Sequence, residues 1–483
     1  MKNSFYVKLL ANCILYLSVL LFFTGCLKDK LNDEPSPSSI FLNTPHAWSL
    51  ASTPQHQLSS DKFPEAANGT GLAFRKNVAR ISWYTIDPLF YNVSSLTPDH
   101  ILNDLEQRSN HFVRGVLATE IWPNITNPPG AGNHWNVLNI AYYPEERGSY
   151  NYDSSPTQYS KGIDINGKLA DPTTRWGGIM RNLPWSEPGF PLYDKYNMGA
   201  IEFWLMDPFV YESGHSGGDL YINIGYISED VLRDGRMSIE NGLPISAEVI
   251  GVDTTIWGRV PVNLPYVNAF HNDPYSIQYQ DVGFDGLGND DERLFFYDSF
   301  LSIIKNMYGA ESVAYENAFN DPSADDYHYY RSSQFDLDQV SILDRYKRYI
   351  GMEGNSKASG QSPEPYPTAS SISPDTEDIN RNLTLDVNEG YFQYRISLRP
   401  TDMQTGNNYI VEVKESNVLL ANNATETIKW YLFRIPINSS ERETFGAITN
   451  SSMYHSMRIF FKNFNEPIIC RLATLNLVLE KND

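Results

Sequence analysis

From residue 41 onward the large apolar side chains fall in short runs cut by Gly, Pro, Asn and Asp, and this spacing constrains the fold most. The runs are rich in Tyr, Phe, Trp and β-branched residues and too brief for long helices, which is the pattern of an all-β chain. It predicts strands over Val78–Thr85, Val137–Tyr143, Ala200–Met206, Leu220–Tyr226 and Ala247–Val252. Further runs follow at Tyr391–Leu398, Tyr409–Val413, Ile428–Ile437, Met457–Phe461 and Ile468–Leu479. In the first of these, Tyr391, Gln393, Arg395 and Ser397 alternate with Phe392, Tyr394, Ile396 and Leu398. Such a period of two reads as one wet face and one buried face, as in a sandwich. Only Asp99–Arg108, Ser228–Arg236 and Asp298–Tyr308 read as helices. A transmembrane barrel fits less well, because its strands would be regular in length and evenly spaced.

The first 26 residues have a different character. Lys2 and Lys8 form a short basic region, Leu9 to Phe23 are almost all apolar, and Thr24-Gly25 precede Cys26. An apolar run this short, ending in small residues before a cysteine, reads as a cleavable export signal. The Cys26 thiol would take a diacylglyceryl group and become the first residue of the mature chain, tethering it to membrane lipid. Beyond the signal only Cys470 remains, so a processed chain would have no intrachain disulfide. The expected fold class is therefore mainly β, with β-sandwich or jelly-roll-like domains and a few short helices behind a lipoprotein signal. The expected divisions are a signal (1–25), a Pro/Ser-rich tether (26–40), a β domain (41–352), a Ser/Pro/Gly-rich linker (353–375) and a C-terminal β-sandwich unit (376–483).

A net charge of −21 opposes nucleic acid as a partner, since phosphates need basic side chains. Enzyme signatures are sparse. Gly214-His215-Ser216-Gly217-Gly218 matches G-x-S-x-G, but that nucleophile turn must lead into a helix, and here a strand follows. It reads as a Gly-rich hairpin turn. The histidines show no ligand spacing, and no phosphate-binding loop occurs. No catalytic residue is assigned.

Two acidic loops suit calcium. Asp281, Asp285, Asn289 and Glu292 occupy positions 1, 5, 9 and 12 of a calcium-loop spacing, with Gly286 at 6 and Gly283 departing at 3. In the second, Asp378, Asn380, Asn382, Thr384, Asp386 and Glu389 occupy positions 1, 3, 5, 7, 9 and 12, with Leu383 in place of the Gly. Alternate oxygens would point inward and the last Glu would close the sphere. The competing reading is that these Asp and Asn residues cap turns.

Long, unusual motifs occur in order along the chain. They include Ala47–Pro54 (AWSLASTP), Ile81–Tyr91 (ISWYTIDPLFY), Leu138–Gly148 (LNIAYYPEERG), Arg175–Arg181 (RWGGIMR) and Ile201–Phe209 (IEFWLMDPF). Gly217–Asn223 (GGDLYIN), Trp257–Pro261 (WGRVP), Gln280–Leu287 (QDVGFDGL), Trp430–Pro436 (WYLFRIP) and Arg471–Leu475 (RLATL) continue the series. Through them the chain resembles one internal segment of the SprA family, the outer-membrane translocons of type IX secretion linked to gliding in Bacteroidetes. Residues 183–199 depart from that pattern, and the family's members are far longer, so the resemblance implies location and pathway rather than a pore. With the lipoprotein signal and the absence of an enzyme signature, the expectation is a non-enzymatic outer-membrane lipoprotein that serves as a binding or assembly component with other secretion or gliding components. A surface protein that binds or acts on carbohydrate, and a remnant of a translocon gene, are the alternatives.

Overall fold

The computed structural model describes residues 39–57, 62–125, 133–184, 196–273, 275–351, 354–356, 373–449 and 454–481. The expected signal with Cys26, most of the tether, and most of the 353–375 linker lie outside these residues. In chain order the first strands are β1 (Ser39–Phe41), β2 (Ser49–Leu50), β3 (Ala79–Tyr84), β4 (Val116–Leu117), β5 (His134–Trp135) and β6 (Leu138–Arg147). There follow β7 (Trp176–Asn182), β8 (Tyr196–Met206), β9 (Gly218–Tyr226), β10 (Val252–Thr254) and β11 (Arg259–Pro261). A stretch of short helices then leads to β12 (Gly390–Leu398), β13 (Ile410–Leu419), β14 (Thr425–Pro436), β15 (Glu443–Gly446), β16 (Ser456–Lys462) and β17 (Ile468–Lys481).

The protein is mainly β, built on two antiparallel sheets that face each other across one core. One sheet runs β13-β14-β8-β17-β6-β3, with β1 added alongside β17. The other runs β15-β12-β9-β16-β7-β2. Among the described residues neither sheet closes on itself. Aromatic rings stack between neighbouring strands, Phe203 on Phe433 at 4.7 Å and Tyr221 on Phe460 at 4.7 Å. Across the core Tyr142 of β6 stacks on Phe461 of β16 at 5.7 Å, joining the sheets. Each such pair adds to simple area burial.

The division at 353–375 does not separate two sandwiches. Strands from after the linker alternate with strands from before it: β12 and β16 flank β9, and β17 lies between β6 and β8. Each of these strands is buried on its inward face, and an isolated half-sheet would leave that face and its ladder hydrogen bonds open. The expected tether also ends early, because Ser39 and Ile40 pair with Val478 and Leu477.

Local readings differ from the structure in four places. The Gly214–Gly218 segment is not a hairpin turn, because β8 and β9 belong to different sheets; Gly217, at φ +69°, lets the chain cross between them. Ala247–Gly251 stays irregular, with Val249 and Ile250 exposed, and strand pairing begins only at Val252. Ser228–Arg236 is not helical, because Arg233 and Gly235 take left-handed φ of 55° and 72°. The wet face of β12 is wet only at Arg395 and Ser397; Tyr391 and Gln393 are covered by Gln57, which donates to both side chains.

One buried ion pair fastens the second sheet. Arg458 on β16 lies 2.7 Å from Glu389, the residue before β12, with both side chains fully buried. The guanidinium also donates to Asn223 Oδ1 on β9 and to the Ser52 carbonyl, and the carboxylate accepts the Gln55 N–H. Four separate stretches of chain thus meet at one charge pair. We expect Glu389→Gln to cost about 3–5 kcal/mol, because it strands a buried guanidinium. The readout is a lower urea midpoint at unchanged slope. Glu389→Gln combined with Arg458→Met should recover most of the loss. A wild-type midpoint for the single variant would show that the pair does not fasten the sheet.

Candidate metal centre

The helical stretch between β11 and β12 carries the first acidic loop. Asp281 ends the short helix Ile277–Gln280, and the helix Asn289–Phe295 begins where the loop closes. Gly283 and Gly286, at φ +74° and +64°, let the chain turn between them. The loop folds inward because Glu240, itself fully buried, accepts the N–H groups of Val282 and Gly283 at 2.9 and 2.7 Å. Burial and the neighbouring carboxylates of Asp375 and Asp281 push the Glu240 carboxyl well above its usual range.

Of the four residues expected to converge, the structure brings two together. Asp285 and Glu292 point to one place, and the third member of that group is Asp325, all three being buried. Their facing carboxylate oxygens lie within 4.8 Å of one another. Asp325 also groups with Asp321 and Asp326 on the other side. Asn289 sits at the rim, donating to Asp326 at 3.0 Å and accepting from Asn355 at 2.8 Å. Asp281 turns instead to the Ser356 hydroxyl.

The surroundings hold these carboxylates without neutralising them. Asp285 accepts from Ser323 Oγ at 2.6 Å and from the Leu287 N–H at 3.0 Å. Glu292 accepts the Ser323 N–H at 3.1 Å. Burial raises the Asp285 carboxyl to about 7, and burial plus the Asp285 charge raises Glu292 well above the ordinary range. Burial first, then Glu292 and Asp285, do the same to Asp325. Arg147, close by in the fold, donates instead to the backbone carbonyls of Asp321, Pro322 and Asn151. An all-oxygen, carboxylate-rich donor set of this kind suits a hard divalent cation.

The second loop is put together differently. Asp378 accepts the N–H groups of Asn382 and Leu383, both at 2.8 Å. Asn380 and Asn382 donate to Asp386, and the Thr384 N–H returns to Asn382. This is a ladder of side chains capping a turn, the competing reading of the sequence. Glu389, expected to close the sphere, is engaged with Arg458 on the core side. Leu383, where the calcium spacing wants Gly, stands at φ +61°.

Sequence reasoning missed Asp325, Asp321 and Asp326. The run Asp321-Pro322-Ser323-Ala324-Asp325-Asp326 is visible as an acidic cluster, but a twelve-residue template looks only along the chain. Glu229 was also missed. It braces the second loop by accepting the N–H groups of Asn380 and Asp386, both at 3.2 Å.

Glu229 generates a pH dependence. Burial, with the charges of Asp386 and Asp378, raises its carboxyl to about 8 from an ordinary 4.5. Between those values the folded chain holds a proton that the unfolded chain has lost, so stability falls as pH rises. Wild-type stability should therefore drop by up to about 4 kcal/mol from this group between pH 5 and 8. Glu229→Gln should flatten that slope in urea denaturation across the range. An unchanged slope would remove Glu229 as its source.

Residues 299–482 match the SprA_N family model, described as motility related/secretion protein. No curated protein matches the chain. The match opens inside the helical stretch, takes in Asp321, Asp325 and Asp326, and runs through β12 to β17. It leaves Asp285 and Glu292 before its first residue. The resemblance read along residues 41–480 is thus matched in its second part: residues 299–482 are similar to the SprA_N family.

Proposed function

We propose that the protein is an outer-membrane lipoprotein, acylated at Cys26, that acts as a non-enzymatic binding or assembly component of type IX secretion or gliding. The observation that carries this reading is the SprA-like match over residues 299–482, in a family described by motility and secretion. The leader supports the location, since Lys2, Lys8, the apolar run and Thr24-Gly25-Cys26 have the layout of a lipoprotein signal. The net charge of −21 supports partners other than nucleic acid. The attachment proposed is the lipid on Cys26; among the described residues no helix is long and apolar enough to cross a membrane. The partners are other components of the secretion or gliding apparatus, and the face of the membrane follows from protease accessibility on intact cells.

Two measurements test this. Mass spectrometry of the mature protein should find an acylated Cys26 at the N-terminus, and Cys26→Ala should move the protein out of the membrane fraction. A mature N-terminus at any other residue would overturn the tether. A strain lacking the gene should lose secretion of cargo proteins or colony spreading, and affinity capture should recover secretion components. Normal secretion and spreading with retention on polysaccharide gels would replace this reading with a glycan-binding one. Normal behaviour in every assay would mark the chain as a translocon remnant.

A further inference from the structure

In this fold buried carboxylates have a repeated task. Glu240 accepts N–H groups of Val282, Gly283 and Asp375. Glu377 accepts those of Val231, Leu232 and Ser238, and Asp153 takes Ser160, Gly162 and Arg175. Each acid is matched by donors, as burial of a charge requires. Asp325 breaks the pattern. It is fully buried, yet neither carboxylate oxygen has a hydrogen-bond partner. Among the described residues no Lys or Arg forms an ion pair with it or with Asp285 or Glu292, the acids it faces. A buried carboxylate against two others, without donors, is among the costliest arrangements available to a chain.

The backbone is shaped to keep it there. A Cβ added to Gly283 would lie 2.3 Å from Asp325 Oδ2 and 2.7 Å from the Tyr150 hydroxyl, so only glycine leaves the space that Asp325 occupies. The Asn355 N–H holds the Asp325 carbonyl at 2.9 Å, and the Asp325 N–H is held by Asp321 at 3.1 Å. The side chain is therefore fixed in position and aimed at the group of oxygens.

We propose that Asp285, Glu292 and Asp325 bind a divalent cation of the calcium class, with Asp321 and Asp326 supplying further oxygens on the outer side. The cation takes the place of the missing donors on Asp325. It joins the loop after β11 to the 321–326 segment, and so ties the start of the helical stretch to the segment that follows the helix Val313–Asn320. Calcium fits better than magnesium, because it accepts irregular shells of carboxylate and carbonyl oxygens, whereas magnesium demands an octahedron and retains its waters. This site differs from a twelve-residue calcium loop: two ligands come from the loop and the third from more than thirty residues downstream.

The inference concerns the purified molecule and stands apart from membrane attachment and partners. The full chain, purified in detergent and stripped with chelator, is titrated with calcium and, separately, with terbium. Millimolar calcium should raise the melting temperature by several degrees. Terbium should show sensitised emission on tyrosine excitation, since the Tyr152 hydroxyl lies 3.4 Å from Asp285 Oδ2. Asp325→Asn should weaken terbium binding by at least about 100-fold and abolish the calcium-induced shift. It should also melt higher than the stripped wild type at pH 8, which shows that the variant folds. Glu292→Gln serves as a second ligand variant, and Asp386→Asn in the second loop should bind terbium like the wild type. A stripped wild type that gains nothing from calcium and shows no sensitised emission overturns the proposal, as does Asp325→Asn binding terbium with wild-type affinity.

Discussion

The last strand is the constraint on which the fold rests. β17 pairs with β8 on one edge and β6 on the other, while β1 pairs with Val478 and its neighbours. A strand added last to the middle of a sheet cannot be peripheral, because its removal leaves two interior edges with unpaired N–H and C=O groups. β16 has the same role in the facing sheet, between β7 and β9. Both sheets therefore stay unfinished until residues near the C-terminus return to strands laid down early in the chain. Contacts of such long sequence separation make loop-closure entropy the main obstacle to folding. They also make the finished sandwich a single cooperative body.

Polar groups inside this body follow from that topology. Where distant segments cross, the side chain at the crossing is often charged and bonded to several of them. Arg458 and Glu389 collect Ser52, Gln55 and Asn223, and Arg75 donates to the carbonyls of Ala51, Ser149 and Val231. Arg471 on β17 meets Asn139 and the carbonyls of His111 and Arg114 without a direct carboxylate partner, and burial lowers it to about 9. Such groups add little net stability over an apolar isostere, but a misplaced segment would leave them unpaired. They specify which crossings are allowed. Charge is thereby used for register between segments, and burial of the aliphatic and aromatic core supplies the attraction.

Much of the fold was legible from period and punctuation. β3, β6, β8, β9, β12, β13, β14, β16 and β17 were visible because Val, Ile and aromatic residues alternate there between turn formers, whereas β4, β5, β7 and β15 were not foreseen. Their partners were not visible, since pairing β12 with β9 joins residues far apart in sequence, and no local pattern encodes that choice. The helix expected over Ser228–Arg236 failed because Glu229, Asp230 and Arg233 serve loop contacts rather than an apolar stripe. The candidate site was half legible for the same reason. Loop spacing placed Asp285 and Glu292 together, and the Asn and Gly residues around them mark a turn. Asp325 was beyond reach, because its position depends on how Asn355 and Gly283 fold around it.

The boundary of the SprA-like segment acquires a physical meaning from these contacts. Residues 299–482 supply β12 to β17, yet every interior place those strands occupy is bordered by strands from before residue 299. The acidic centre is divided in the same way, with Asp321, Asp325 and Asp326 inside the match and Asp285 and Glu292 outside it. Neither half holds a complete sheet or a complete donor set. The matched segment is thus not a module that could be moved alone: its inward faces and its unpartnered carboxylate both require the earlier half of the chain. Any function carried by the segment is carried by the whole sandwich, and the residues that complete it lie where a search confined to the match would not look.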